Sequence, residues 1–447
     1  MLNQSVSEFI GDILQHIKYK KIHPYVVKEL EDHIESLRED YEREGLDKEA
    51  AYLKAIEQMG DATPIGKGLH EMHKPKCEWS LIVLFTLLIS IGLLALGVMK
   101  AHYPEGYGNY YLSKQLIFVI LGSLGFWGCY FSNYKKLENN AILFYLIGIG
   151  IMIYNLLFGV RVNGVNRYLR VLFFTFSAIR LSIPFLVIGY IGFIRKWTSP
   201  KLKNVLTLGV LGGIPICLMM IVSSIKTGLL LGVVFTLSLT FHIIGKEYKG
   251  TKIKALVTLY GTLGAVVGLT FFRMIYGIEY RIERLRAFFN PEEDPLGYGY
   301  MYHVLKNIRE NASVIGGEGL EGSLPAGEIT TDMIFTFIVG SMGWLMGIVL
   351  MSVIALVIIR LFRAAMKIQE SYGRLLTLSI STLFALQFIF NIAMNLGYTP
   401  IVGVGLPLVS YGGTALIVDM ALLGLFMNVY RRKDLVLIMS QTTIGDV

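Results

Sequence analysis

From Trp79 onward the chain is a succession of apolar runs, most of them close to the length that crosses a bilayer and each closed by a polar break. A hydrocarbon core of ~30 Å takes ~20 residues of helix. Inside it every backbone N–H and C=O must be satisfied within the protein, so runs of this length are read as helices. Ten candidate spans follow, at roughly 80–99, 115–132, 140–158, 172–194, 205–223, 228–244, 255–275, 331–359, 375–395 and 413–430. Lys and Arg orient them. Alternate gaps, at 133–139, 195–204, 245–254, 360–374 and after 430, hold 17 basic residues, and the short gaps on the opposite side hold six. Both termini are therefore expected in the cytoplasm, with one large outside segment, about 276–330, between spans seven and eight. The expected fold class is all-α: a polytopic membrane protein with ten transmembrane helices and a small N-terminal helical domain.

Charge divides the chain in two. Residues 1–78 hold 27 of the 74 Asp, Glu, Lys and Arg residues, and acids outnumber bases there by 16 to 11. The whole chain is only 17% charged, well below the ~25% of soluble domains. Three parts are expected: a cytoplasmic head at 1–78, a membrane body at 79–434 and a short cytoplasmic tail at 435–447. The first 30 residues contain no apolar signal sequence, so the head is not expected to be exported by cleavage. Within it, Val27, Leu30, Ile34 and Leu37 oppose a charged face over about Pro24–Glu44; Gly45 stops that helix, and Asp47 caps a second that runs to Gly60. This stretch resembles the small helical domains that precede many bacterial permeases, which implies a regulatory or adaptor role; a solvated helical hairpin without a specific partner is the simpler alternative. The excess of basic residues in the body is scattered between apolar runs, so membrane topology explains it and nucleic acid is not an expected partner. Cys77, Cys129 and Cys217 are too widely spaced to build a disulfide framework or a metal site.

The outside segment, about 55 residues long, is far longer than the other connections, and loops of that size are usually functional or disordered. Its mixture of aromatic, branched and charged residues argues for helices at the membrane surface. Asp294 lies there, between Glu293 and Pro295 and ahead of Gly297-Tyr298-Gly299-Tyr300. Pro295 keeps Asp294 out of helical geometry, and the glycines allow a tight turn. A carboxylate fixed in this way can serve as a general base or cap a helix; the local sequence is compatible with both.

Two charges fall inside expected spans: Arg180 about eight residues into span four, and Asp419 about six into span ten. Unpaired charge at such depth is costly, which makes both functional candidates, and they are expected to share a cavity and pair. Ser410-Tyr411-Gly412-Gly413 places a serine beside glycines but has no histidine nearby, so a packing role is expected for this turn.

Three stretches carry a resemblance to the SEDS family (shape, elongation, division and sporulation). They are "RLRAFFNPEEDPLGYGY" in the outside segment, "RVNGVNRYLRV" at Arg161–Val171, and the block Asn395–Arg432 with Pro400, Gly403, Pro407, Ser410, Tyr411, Gly412 and Gly413. Arg363, Gly373, Gln387 and Asn391 also fit. The family's ten-helix fold, cytoplasmic termini and outer loop match the topology derived above.

The resemblance implies polymerisation of peptidoglycan glycan strands from lipid II at the outer face of the bacterial cytoplasmic membrane, with release of undecaprenyl diphosphate. The family's essential loop aspartate falls on Asp294, as general base. Arg284, with Arg281 or Arg286, is placed to hold the diphosphate, against the alternative of snorkelling toward lipid phosphates. Arg161, Asn163 and Arg167 form a second candidate contact or an ordinary outside turn, and Arg180 joins the candidate substrate contacts. A class B penicillin-binding protein is the implied partner. No metal or other cofactor is required by the sequence, although a divalent cation bridging Asp294 and the diphosphate would suit the chemistry. The chain also departs from the family. Ala178 replaces a glutamate, with Arg180 one position ahead of the family lysine. Lys226 lies in the segment that replaces Pro-Asp-Leu-Gly-Thr, and Gly340-Ser341 and Val304-Leu305 replace polar pairs. These losses keep open a second reading, a lipid-linked precursor transporter or a weakly active scaffold.

Overall fold

The computed structural model describes residues 2–433 apart from 75, 103–106, 163–164, 172–173, 197–201, 223, 246–247, 276–278 and 317–325. The 435–447 tail and Asn163 therefore lie outside the described residues. Among the described residues two compact units separate, one formed by 2–77 with 368–370 and 430–433, the other by the remainder.

In the first unit, α1 (Leu2–Gln15), α2 (His23–Arg43), α3 (Lys48–Met59) and α4 (Ala62–His73) enclose Ile13, Ile17, Ile22, Val26, Leu30, Ile34 and Ala55. Val26, Leu30 and Ile34 recur every four residues and form the buried stripe of α2, with the expected Val27 and Leu37 partly buried against the same core. Gly45 has φ +97°, which ends the helix. Asp47 caps α3 by accepting the N–H of Ala50 at 3.2 Å.

The second unit is a helical bundle. Its elements are α5 (Trp79–His102), α6 (Tyr107–Phe131), α7 (Tyr134–Asn139), α8 (Ala141–Phe158), α9 (Ala178–Lys196), α10 (Leu202–Ile221), α11 (Ile225–Ile244), α12 (Lys252–Ile275), α13 (Glu279–Phe289), α14 (Tyr300–Asn311), α15 (Ala326–Thr330), α16 (Ile334–Met342), α17 (Trp344–Met366), α18 (Ser371–Asn395) and α19 (Gly413–Arg431). Nine helices among the described residues are long and apolar enough to cross a membrane. Helix α12 covers the remaining expected span, and its side chains beyond Ala265 lie outside the described residues.

Two expected boundaries are corrected. Span four does not begin at 172: β1 (Val160–Val162), β2 (Val165–Val171) and β3 (Phe174–Ser177) form an antiparallel sheet, and the helix starts only at Ala178. An aromatic and β-branched run such as Phe-Thr-Phe is as apolar as a membrane segment but suits a strand, so Arg180 lies in the first turn of α9 rather than deep within a span. Span eight is also broken. Gly343, at φ +90°, separates α16 from α17. Its missing side chain admits the carbonyl of Val314, and Trp344 N–H and Leu345 N–H donate to Ser313 and Val314 at 3.0 Å. Nine residues rise only ~13 Å, so α16 is too short to cross, and α17 is the spanning helix.

Candidate functional site

Asp294 is carried on a tight exposed turn between α13 and α14. Its backbone is non-helical (φ −139°, ψ 69°), in line with the proline that follows. The carboxylate folds back over the turn and accepts the N–H of Tyr298 at 2.8 Å through Oδ2. The Asp294 carbonyl accepts the N–H of Gly299 at 2.9 Å. A side chain at Gly297 would strike the Asp294 carboxylate, and one at Gly299 would strike the carbonyl of Pro291. The glycines are therefore a requirement of the turn's packing. The two readings of Asp294 are physically compatible: one oxygen orders the turn ahead of α14, and Oδ1 has no hydrogen-bond partner among the described residues.

Helix α14 fastens this turn to the bundle. Arg309 donates through Nη1 to the carbonyl of Asn395 at 2.6 Å, and the Tyr302 hydroxyl accepts the N–H of Ile401 at 3.0 Å. Trp344 Nε1 donates to the Arg309 carbonyl at 3.2 Å. Burial lowers the Arg309 pKa and raises that of Tyr302, while the Ile401 N–H and the Arg284 charge act on Tyr302 in the opposite direction. Arg284 therefore lies within electrostatic reach of α14, and Phe288 joins α13 to Tyr302 with ring centres 6.1 Å apart. Arg286 pairs with Glu283 at 2.8 Å on the exposed surface of α13. Glu293 accepts from Asn290 at 3.0 Å. The side chains of Arg281, Arg161 and Arg167 lie outside the described residues; the backbone places Arg161 on β1, opposite Asn166, and Arg167 on β2.

A second, buried polar region lies at the ends of α16 and α18. Asn391 donates to the carbonyls of Asp332 and Val404 at 2.9 and 2.6 Å. Asn395 donates to the same Asp332 carbonyl at 3.0 Å and accepts the Thr336 hydroxyl at 2.8 Å. Neither asparagine is exposed at all. Ser410 Oγ donates to the Thr331 carbonyl at 2.6 Å and accepts the Leu406 N–H at 2.7 Å, so its only proton is committed to structure. Gln115 on α6 brackets the same turn, donating to the Ser410 carbonyl and accepting from Gly412 N–H, both at 3.3 Å. Tyr411 packs edge-on against Tyr111 at 4.8 Å, and burial raises its pKa to about 12. Gly413 abuts Phe118. Pro407 is part of the same turn.

Beside this region Arg180, Lys226, Thr227 and Gln387 line a small cavity of about 20 Å³ with an apolar wall that includes Ile183, Leu230 and Leu383. Arg180 donates to Gln387 Oε1 at 3.0 Å. The expected pairing with Asp419 is corrected: Asp419 is buried and feels the Arg180 charge, but the two form no ion pair. Asp332 feels Lys226 and Arg180, and a side chain at Gly403 would lie 2.7 Å from its Oδ2 and 3.1 Å from Lys226 Nζ. The structure thus gathers Arg180 and the Ser410 block around one buried region and leaves Asp294 on a separate exposed turn. Arg309, Tyr302 and Asn395 were not foreseen. The signal for Asn395 is the polar row Gln387, Asn391, Asn395, spaced by four along an apolar helix. Among the described residues no His, Cys, Asp and Glu side chains gather as a metal-binding set.

A family model described as "Cell cycle protein" (FtsW/RodA/SpoVE) matches residues 77–435. The chain is 27% identical to a probable peptidoglycan glycosyltransferase FtsW of Trichlorobacter lovleyi over 370 residues, 79% of this chain and 93% of that one. It is 29% identical to the peptidoglycan glycosyltransferase MrdB of Escherichia coli over 318 residues, 67% of this chain and 80% of that one. Among solved structures, a chain of a peptidoglycan synthase complex superposes with a TM-score of 0.64 at 20% identity, covering 80% of this chain and 98% of that one. The rod shape determining protein RodA of Thermus thermophilus superposes at 0.56 with 18% identity, covering 80% and 97%.

Proposed function

We propose, for a chain that belongs to the FtsW/RodA/SpoVE cell cycle protein family, that it is a peptidoglycan glycosyltransferase of the bacterial cytoplasmic membrane, polymerising glycan strands from lipid II at the outer face. Asp294 is the general base. Its free carboxylate oxygen takes the proton of an acceptor sugar hydroxyl as that oxygen attacks the anomeric carbon of a lipid-linked donor. The bond from the anomeric carbon to the diphosphate oxygen breaks, and undecaprenyl diphosphate leaves with the electron pair. Cationic and N–H donors then stabilise the developing charge. Arg284, on the helix before the turn, is the first candidate, with Arg281, Arg161, Asn163 and Arg167 as further outside contacts. Arg180, ordered by Gln387, offers a cationic wall from the buried side.

The observation that carries the reading is the Asp294 turn itself: an exposed carboxylate, oriented by a backbone N–H on one oxygen and open on the other. A class B penicillin-binding protein is the proposed partner, both termini lie in the cytoplasm in this scheme, and the head at 1–78 is a regulatory domain. The test is polymerisation of fluorescent lipid II by purified protein with such a partner. Polymer from the wild type and none from Asp294→Ala sustains the proposal; equal product from both removes Asp294 as base. Absence of polymer with every partner would favour the transporter or scaffold reading.

A further inference from the structure

A different group of charges lies at the far end of α17, and the site described above makes no use of it. Arg360, Arg363 and Lys367 follow one another at spacings of three and four, so they share one face of the helix. The same face carries exposed Leu356 and Ile359 one turn earlier, and exposed Met366 lies beside Lys367. In a spanning helix this is a surface that meets acyl chains first and phosphates at its end. The cations line a cleft of about 440 Å³ with Phe362, Met366 and Glu78. Glu78 immediately precedes α5, which packs against α17, and is followed by exposed Trp79 and, one turn on, Val83.

The charges in the cleft do not cancel. Glu78 pairs with Arg360 at 3.7 Å, whereas Arg363 and Lys367 have no carboxylate partner among the described residues. Arg360 is thus held in place by its neighbour, and two uncompensated cations remain beside it. We propose that this cleft binds the phosphodiester headgroup of an anionic phospholipid, with the acyl chains lying along Leu356 and Ile359 of α17 and Trp79 and Val83 of α5. Fixed basic clefts at a bilayer boundary favour such headgroups over zwitterionic ones.

Native mass spectrometry of the full detergent-solubilised chain, titrated with phosphatidylglycerol or phosphatidylcholine, tests this. The wild type is expected to retain phosphatidylglycerol selectively. The double variant Arg363→Gln/Lys367→Gln should bind it roughly tenfold more weakly, and Arg363→Lys/Lys367→Arg should keep most of the affinity. The control Lys203→Gln/Lys254→Gln removes the same charge at other exposed helix starts and should leave binding unchanged. Equal weakening in the control would reduce the effect to general surface charge and overturn the proposal. Equal retention of phosphatidylcholine would overturn it too, as would displacement by millimolar inorganic phosphate, which would mark a free-phosphate site.

Discussion

The Asp294 turn and the buried polar region around Asn391 and Asn395 solve opposite problems. The turn is open to solvent, and its order comes from backbone groups within six residues: Tyr298 N–H on the carboxylate, Gly299 N–H on the carbonyl. The buried region brings together residues from α16, α18 and the segment before α19, and its polar groups satisfy one another within the protein. The carboxylate proposed as the base is held from one side only, whereas the side chains that fix helices are held from several sides. Substitutions in the two regions should therefore separate activity from stability.

The largest stability effect is expected at Asn395. Replacement by Leu strips the Thr336 hydroxyl and N–H of their acceptor and the Asp332 carbonyl of one donor, a loss of about 3 kcal/mol. Thermal unfolding in detergent checks it, and a near-wild-type midpoint would break the contrast. Gly299→Ala should do the reverse. The new methyl collides with the Pro291 carbonyl and shifts the carboxylate by a fraction of an ångström. Polymerisation should fall on the order of 100-fold, with stability changed by only about 1 kcal/mol. Arg309→Gln lies between the two regions. Loss of its bond to the Asn395 carbonyl should cost about 1–2 kcal/mol and lower activity along with stability.

The smallest effect is a pH response. The Tyr411 hydroxyl titrates near 12 in the folded chain because burial disfavours the phenolate, against ~10 when unfolded. The unfolded state therefore gives up this proton first. The stability contributed by Tyr411 is complete below pH ~10 and is lost as pH rises toward 12. Unfolding curves of wild type and Tyr411→Phe should diverge over that range, the wild type declining faster.

Hydropathy made the bundle legible because a bilayer demands long uninterrupted runs, and runs of that kind are visible in sequence. It misled where two structures share the same composition. Phe174–Ser177 is apolar enough for a span yet pairs with β2, which brought Arg180 from apparent depth to the first turn of α9. The break at Gly343 was hidden inside one apolar run, since it depends on the 313–316 segment reaching it from elsewhere in the chain. The Asp294 turn was readable for the opposite reason: its geometry is set by Pro295, Gly297 and Gly299 within the same few residues. Arg309 carried no local signal, because its partner is a backbone carbonyl 86 residues away. The pairing expected of Arg180 and Asp419 is not formed, and Arg180 Nη1 donates to Gln387, a neutral acceptor, on α18.

The central claim is that Asp294 acts through an oxygen left free by the turn. Asp294→Asn keeps the shape and an amide oxygen able to accept the Tyr298 N–H, but it removes the base. Polymerisation of lipid II by the purified variant with the proposed transpeptidase partner, measured beside the wild type at matched thermal stability, is the most direct test. Loss of polymer by at least about 100-fold with an unchanged unfolding midpoint is the predicted result. Polymer formed at the wild-type rate would contradict it.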